Sequence, residues 1–249
     1  MAFHLMGLRY VIPIINQKAN VRLHAPALLG LFHVEWAMNI ALLGPQGSGK
    51  GTQGEMLARK FDMYYLDVGS LLRQMSKTNP EIDQYVNKKG ALLPDDLLFE
   101  IMKKHLSERN QYDNIVFDGY PRSKAQWDSI SALLSDHSTK IDEVIVLEIN
   151  EEETVRRLSA RRMDPVSGHI YNLVTNPPPP EVDVEALLHR EDDQPDAIRT
   201  RLAAYRANTA LLIDHLKAAG HLFEVNGSDS IDTVQEKIVE HITSHKFKL

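Results

Sequence analysis

The chain has 249 residues, 43% hydrophobic and 25% charged, a globular composition with length enough for one good core. A net charge of -6 argues against general nucleic-acid binding, and the absence of cysteine rules out disulfides and a thiolate zinc site. No apolar run approaches the ~20 residues that span a bilayer, so no membrane segment is expected.

Residues 1–37 stand apart, with Arg9, Lys18 and Arg22 and no acid before Glu35. A basic, acid-poor leader suits an organelle transit peptide. It has no serine, however, and its apolar residues are not cleanly amphipathic. The reading preferred is an extension upstream of a natural start at Met38, outside the fold of 38–249. Cytoplasmic location is then expected, with an organelle as the alternative.

From Met38 onward, short apolar runs alternate with helical stretches. NIALL (Asn39–Leu43) reads as a buried strand, followed by a glycine-rich turn and the helical GTQGEMLARKF. YYLDV (Tyr64–Val68), NIVFD (Asn114–Asp118), EVIVLEI (Glu143–Ile149) and HLFEV (His221–Val225) supply four more strands. Five such runs separated by helices predict an α/β fold, a doubly wound five-stranded parallel sheet. Asn150 before Glu151, Glu152 and Glu153 reads as a helix cap with acids in the first turn, a structural feature and not a metal site. Two segments break the rhythm. Val68 to about Leu98 is helical without a strand. Arg161 to about Pro195 is irregular, with DPVSGHIYN as a turn between short strands and a stiff Pro177–Pro180 run. Insertions beyond the carboxyl ends of parallel strands are well placed to form lids.

GPQGSGKGT (Gly44–Thr52) fits G-x-x-x-x-G-K-[ST] at Gly44, Gly49 and Lys50, but Gly51 stands where the hydroxyl belongs and Thr52 comes one place late. A strand feeding glycines into a helix aims backbone N–H groups at one spot, and Lys50 adds a charge for the β/γ-phosphates. The strand before and the helix after favour phosphate binding over a bare turn. Asp118 ends an apolar strand, where an unpartnered acid gains nothing from burial; beside such a loop it suits magnesium. Arginine is plentiful: Arg73, Arg122, Arg190, Arg199, Arg201, and a group at helical spacing (Arg156, Arg157, Arg161, Arg162) in which Arg157 and Arg161 stack one turn apart. In an acidic chain this points to a polyanionic ligand. Arg156, Arg162, Arg199 and Arg206 are expected in surface salt bridges, and Asp192 and Asp193 to brace arginines or position a lid.

Taken with VGSLLR (Val68–Arg73), GALLPDDLL (Gly90–Leu98), DGYPRSKAQ (Asp118–Gln126), RRLSARRMDPVSGHIY (Arg156–Tyr171) and HREDDQPDAIRTRL (His189–Leu202), the loop resembles that of the adenylate kinases, nucleoside monophosphate kinases of the long-lid type. The match runs from Met38 nearly to the end. It implies a P-loop NTPase core (38–67, 98–160, 196–249), a helical NMP-binding insertion (68–97) and a lid (161–195). It implies the reaction ATP + AMP ⇌ 2 ADP with magnesium, in a monomer. By this resemblance Gly47, Ser48, Gly49, Lys50, Gly51 and Thr52 cradle the ATP phosphates. Arg157, Ile170, Tyr171 and the segment around Asp229 flank ATP. Lys50, Arg122, Arg161, Arg190 and Arg201 carry the catalysis, with Asp118 reaching magnesium through water. Val68, Arg73, Ala91, Leu92, Leu93, Gly119, Tyr120, Pro121, Arg122, Gln126, Arg190 and Arg201 surround AMP. Gln126 is the reader of the adenine edge.

The chain departs from the pattern at Val68, often threonine in relatives, at Ser70, usually aspartate, and at Asn172, often histidine. The loss at Ser70 leaves Asp118 as the expected main acid for magnesium. A network of Asp164, Ser167 and His169 is a candidate brace for the zinc-free lid. Two other functions remain open at this point: a monophosphate kinase for another base, and a nucleotide-binding module with weakened catalysis.

Overall fold

The computed structural model describes residues 37–89 and 93–246, together with three short N-terminal strands. Those strands, His4–Leu5, Leu8–Tyr10 and Val34–Glu35, pair antiparallel with one another. They belong to a unit separate from Asn39–Leu249. Ala91 and Leu92 lie outside the described residues.

The apolar runs form the strands the sequence predicts, four of them trimmed at their ends and the fifth shifted toward the carboxyl end, to Phe223–Asn226. They are β1 (Ile40–Leu43), β2 (Tyr64–Asp67), β3 (Ile115–Asp118), β4 (Glu143–Glu148) and β7 (Phe223–Asn226), in the order β7-β4-β1-β3-β2, all parallel. Helices α1 (Lys50–Phe61), α4 (Asp95–Arg109), α5 (Lys124–Asp136), α8 (Ala210–Ala218) and α9 (Ile231–Lys246) connect or flank them. Because both faces are covered, the strands need no polar alternation. On one face Ala41, Leu43, Val144 and Val146 pack against Leu212, Ile213 and Leu216 of α8. In a second cluster Leu66 and Phe117 meet Leu98, Met102 and Leu106 of α4 and Ile130 and Leu134 of α5.

Buried Asn39 ties the strand entrances together. Its Nδ2 donates to Tyr112 O (3.0 Å) and Lys140 O (2.9 Å), and its Oδ1 accepts from Ile115 N (3.1 Å). The backbone N–H of Asn39 donates to Asp142 Oδ2 at 2.9 Å. A buried amide satisfied on both sides costs little and fixes the strands relative to one another. The opposite, carboxyl-terminal edge then carries the phosphate loop after β1, and Asp67 and Asp118 paired across β2 and β3.

The first insertion folds as α2 (Val68–Ser76), α3 (Pro80–Asp83) and a wide helical turn, Gln84–Lys89. The second follows α6 (Glu151–Ser159) and opens on a hairpin, β5 (Arg161–Met163) with β6 (Ile170–Asn172). Here the sequence expectation needs correction. Arg161 is not stacked a turn beyond Arg157, because α6 stops at Ser159 and Arg161 begins a strand. The break is set from outside the helix: Asn172 Nδ2 donates to Arg157 O (2.8 Å) and Leu173 N to Ala160 O (3.0 Å), taking up carbonyls at the helix end. The expected cap of α6 is present, with Asn150 Oδ1 accepting from Glu153 N at 2.8 Å. After this second insertion, α7 (Pro195–Ala204) leads into α8 through a π turn, Tyr205–Thr209. Such turns re-aim side chains within a helix, and Tyr205 and Thr209 both line the cavity beside Lys50.

Candidate active site

The phosphate loop has its shape because only glycine fits it. Gly44 has φ 135°, and a Cβ there would lie 2.3 Å from Leu147 O. Gly47 and Gly49 are also left-handed, at φ 78° and 101°. Gly49 caps α1 without a side-chain bond, so the first-turn N–H groups face the loop's concavity. Lys50 folds over this concavity, its Nζ donating to Gly44 O (2.9 Å) and Pro45 O (2.7 Å). Burial lowers its pKa to about 8; Asp118 opposes the shift, while Arg122, Arg201 and Arg161 add to it. The charges of those three guanidinium groups, from separate parts of the chain, are thus felt at Lys50, and Arg122 lines one cavity with it.

Gly51 lies against the strand-end acid: a Cβ there would come 3.5 Å from Tyr65 Oη and 3.6 Å from Asp118 Oδ2, ordinary contact distances. Asp118 accepts from Tyr65 Oη at 2.8 Å. Burial raises the Asp118 pKa against the pull of the Lys50 charge. A carboxylate beside a phosphate cradle is a ligand type that suits magnesium, a hard ion that keeps much of its water. Among the described residues no group of three or more His, Asp or Glu gathers, so an ion here would draw most of its ligands from phosphate and water.

Sequence reasoning missed Asp67. This residue ends β2 and caps α2: its Oδ1 accepts from Ser70 N (3.0 Å) and its Oδ2 from Ser70 Oγ (2.5 Å). Ser70 Oγ in turn accepts from Arg73 Nη2 at 2.7 Å, and Arg73 lies 3.6 Å from the Asp67 carboxylate. The acid expected at Ser70 is thus matched by one a helical turn earlier, and its charge reaches Asp118. Asp67, like Asp118, is an acid that closes an apolar strand.

Three of the remaining arginines are held by two adjacent carboxylates. Arg161 grips Asp193 with two bonds (Nε 2.7 Å, Nη2 2.6 Å), and Arg190 grips Asp192 likewise (2.9 and 2.5 Å). Arg201 reaches Asp192 O at 2.9 Å and Asp193 Oδ1 at 3.3 Å. Asp193 is 1% exposed. Burial brings the Arg201 pKa down to about 10. Burial pushes the Asp192 pKa up, but the charges of Arg201, Arg190 and Arg161 outweigh it and leave it lowered. The bracing role expected of Asp192 and Asp193 is what they perform. Arg73 feels this group too: burial first, then the Arg190 charge, lowers its pKa. Arg122 donates from Nε to Gly119 O (2.7 Å), with Gly119 at φ 79°. Arg157 joins α6 to the loop, Nε on Glu153 (2.5 Å) and Nη1 toward Gly47 O (3.3 Å). Arg156, Arg199 and Arg206 make the expected surface pairs with Glu153, Asp196 and Glu151. Arg162 departs from that expectation and donates to the backbone oxygens of Ser159 and Arg161.

Other site residues divide between walls and rims. Val68, Leu93 and Tyr120 belong to the hydrophobic cluster around Phe117, so they can offer a ligand apolar wall but few polar contacts. Pro121 lines the cavity with Lys50 and Arg122. Gln126 is 2% exposed. Ile170 is exposed and Tyr171 half-buried on the β5–β6 hairpin, where Tyr171 meets His169 edge-on at 4.5 Å. Ser167 Oγ donates to Asp164 Oδ2 and accepts from His169 N, closing the hairpin turn with the polar network read from sequence. A cavity of about 440 Å³ opens between Pro45, Ile149, Asn150, Tyr205, Asn226 and Ser228. Asp229 beside it bonds Asn226 and Lys237 through its carboxylate, and its backbone N–H donates to Asn226 O at 3.3 Å.

The comparisons agree with this geometry. The family model described as adenylate kinase matches residues 42–221. An adenylate kinase of Methanothrix thermoacetophila is 38% identical over 208 residues, 81% of this chain and 96% of its own length. One of Chloroherpeton thalassium is 38% identical over 215 residues, 83% and 99% respectively. One of Kosmotoga olearia is 34% identical over 212 residues, 82% and 99%. With its phosphate loop, its two insertions and these relatives along most of its length, the chain belongs to the adenylate kinase family.

Proposed function

We propose that this chain catalyses ATP + AMP ⇌ 2 ADP, with transfer carried by Lys50 and the arginines gathered between lid and phosphate loop. The observation that carries the reading is electrostatic. In a chain of net charge -6, Lys50, Arg122, Arg161 and Arg201 lie near enough for each arginine to depress the lysine's proton affinity. Such crowding is unfavourable unless polyanions are to be bound there.

An AMP phosphate oxygen attacks the γ-phosphorus of ATP; the bond to the β,γ-bridging oxygen breaks, and its electron pair leaves with ADP. The transition state is loose, and charge spreads over the transferring oxygens, so positioning and fixed positive charge do most of the work. In this account loop N–H groups and Lys50 hold the ATP phosphates, and Arg73 and Arg122 hold the AMP phosphate. Arg161, Arg190 and Arg201 meet the transferring group. Asp192 and Asp193 keep those three poised until phosphate oxygens compete for them. Asp118 would hold magnesium through water, and the ion when bound would neutralise β/γ-phosphate charge. Gln126 faces the AMP base, and the backbone around Asp229 the ATP base.

Residues 68–97 and 161–195 act as covers that exclude water, so that ATP donates to AMP and not to solvent. Among the described residues no helix is long and apolar enough to cross a membrane, and a cysteine-free chain suits the cytoplasm. The reading is tested with Lys50→Met. Turnover should fall by about 100-fold or more while the circular dichroism spectrum and melting transition persist; near-full turnover would refute the loop assignment.

A further inference from the structure

We infer that Asp95 is a positioning residue for base selection: it fixes which way round Gln126 offers its amide, and so favours 6-aminopurine over 6-oxopurine monophosphates. The inference rests on the proposal that Gln126 faces the AMP base.

Asp95 is the first residue of α4, half-buried, and 31 residues from Gln126 in sequence. Its Oδ1 accepts from Gln126 Nε2 at 2.6 Å, and its Oδ2 accepts from Ser123 Oγ at 2.8 Å. On the other side of the Gln126 amide, Oε1 accepts from Arg122 N at 2.7 Å. Ser123, the cap of α5, spends its lone proton on Asp95 and accepts from Gln126 N at 3.1 Å.

Every bond in this chain has one direction only. A backbone N–H can only donate, and a carboxylate can only accept. The oxygen and nitrogen of Gln126 are therefore assigned by their partners. Turning the amide over would set NH2 against the Arg122 N–H and C=O against the Asp95 carboxylate, two repelling contacts in a buried position. What stays free on Gln126 is one N–H and one oxygen lone pair.

A free N–H beside a free acceptor matches a base edge with a ring acceptor next to an exocyclic amine, as at N1 and the 6-amino group of adenine. Hypoxanthine and guanine reverse that edge, with N1–H and a 6-oxo group. To meet them the amide would have to turn over, and Asp95 and Arg122 N oppose the turn. Discrimination built on unmatched polar groups is far stronger than discrimination by size. Asp95 touches neither base nor phosphate in this scheme; it acts through Gln126.

The test compares AMP with IMP, which keeps the purine size, ribose and phosphate and reverses the 6-position edge. The kcat/KM ratio for AMP over IMP is measured at saturating MgATP in the full-length chain, for wild type, Asp95→Ala, Asp95→Asn and Gln126→Leu. We expect Asp95→Ala to lower the ratio about tenfold, through a raised KM for AMP with kcat changed by less than about threefold. Asp95→Asn keeps an oxygen able to accept from Gln126 and should lose less. A role confined to starting α4 would lower melting temperature in both variants and leave the ratio unmoved. If Gln126→Leu collapses the ratio while both Asp95 variants stay within about twofold of wild type, the inference on Asp95 is overturned and the Gln126 proposal stands. An unchanged ratio in Gln126→Leu overturns both.

Discussion

Asp193→Asn removes one charge from the centre of the arginine cluster and leaves the side chain's shape. The Asp193 side chain is fully buried and faces Arg161 and Arg201, whose side chains are 17% and 19% exposed. Removing one partner of a buried pair costs ~3–5 kcal/mol, because the surviving charge is left short of compensation. The low end, ~3 kcal/mol, applies here. Asparagine still offers Arg161 one acceptor, and Asp192 still faces Arg201 at 3.2 Å. For a domain of this size ~1 kcal/mol moves the melting point by ~2–4 °C, so a drop of ~6–12 °C is expected in a thermal melt without nucleotide. ATP should stabilise the variant more than wild type, since phosphate oxygens supply the missing negative charge. Asp196→Asn is the control: it alters the same kind of pair, but at side-chain exposures of 74% and 91%, where loss should be under ~1 kcal/mol. Equal melting shifts for the two variants would refute the reasoning, as would a variant at position 193 that melts within 2 °C of wild type.

Three further outcomes follow from the same site. Lys50 carries a pKa lowered to about 8, so the folded chain loses this proton before the unfolded one does. The burial penalty of its charge is therefore present at neutral pH and fades as pH rises through 8 toward the unfolded value. ATP affinity runs the opposite way: it should weaken above pH 8, by at most tenfold per unit, and this step should vanish in Lys50→Met. Identical pH profiles for the two proteins by calorimetric titration would exclude Lys50 as the titrating group. Ser70→Asp should not tighten magnesium dependence, because the new carboxylate would stand against Asp67 Oδ2, now 2.5 Å from Ser70 Oγ. The expected result is a melting point several degrees lower and weaker AMP binding through a displaced Arg73; an unchanged melt would count against the Asp67 cap.

The core was legible because buried parallel strands announce themselves as unbroken apolar runs, and because a phosphate loop needs glycines at fixed places. The end of α6 was not. Arg156, Arg157, Arg161 and Arg162 have helical spacing, and what stops the helix is Asn172 and Leu173, residues from the far side of the lid hairpin. Asn39 likewise joins segments up to 103 residues away, and nothing local marks it. The paired roles of Asp192 and Asp193 were readable from their place among arginines. Asp67 was readable as well, as a strand-end acid three residues before a serine that it caps. Nothing in the sequence around Asp95 marks it, because its partners, Ser123 and Gln126, lie at the start of a different helix.

The central claim is that these charges serve transfer between two nucleotides. It is tested most directly by incubating the protein with MgATP and AMP and resolving the nucleotides by chromatography. The account predicts two ADP formed for each AMP consumed, dependence on magnesium, and little free phosphate. No ADP, or phosphate released from ATP with AMP left intact, would contradict it.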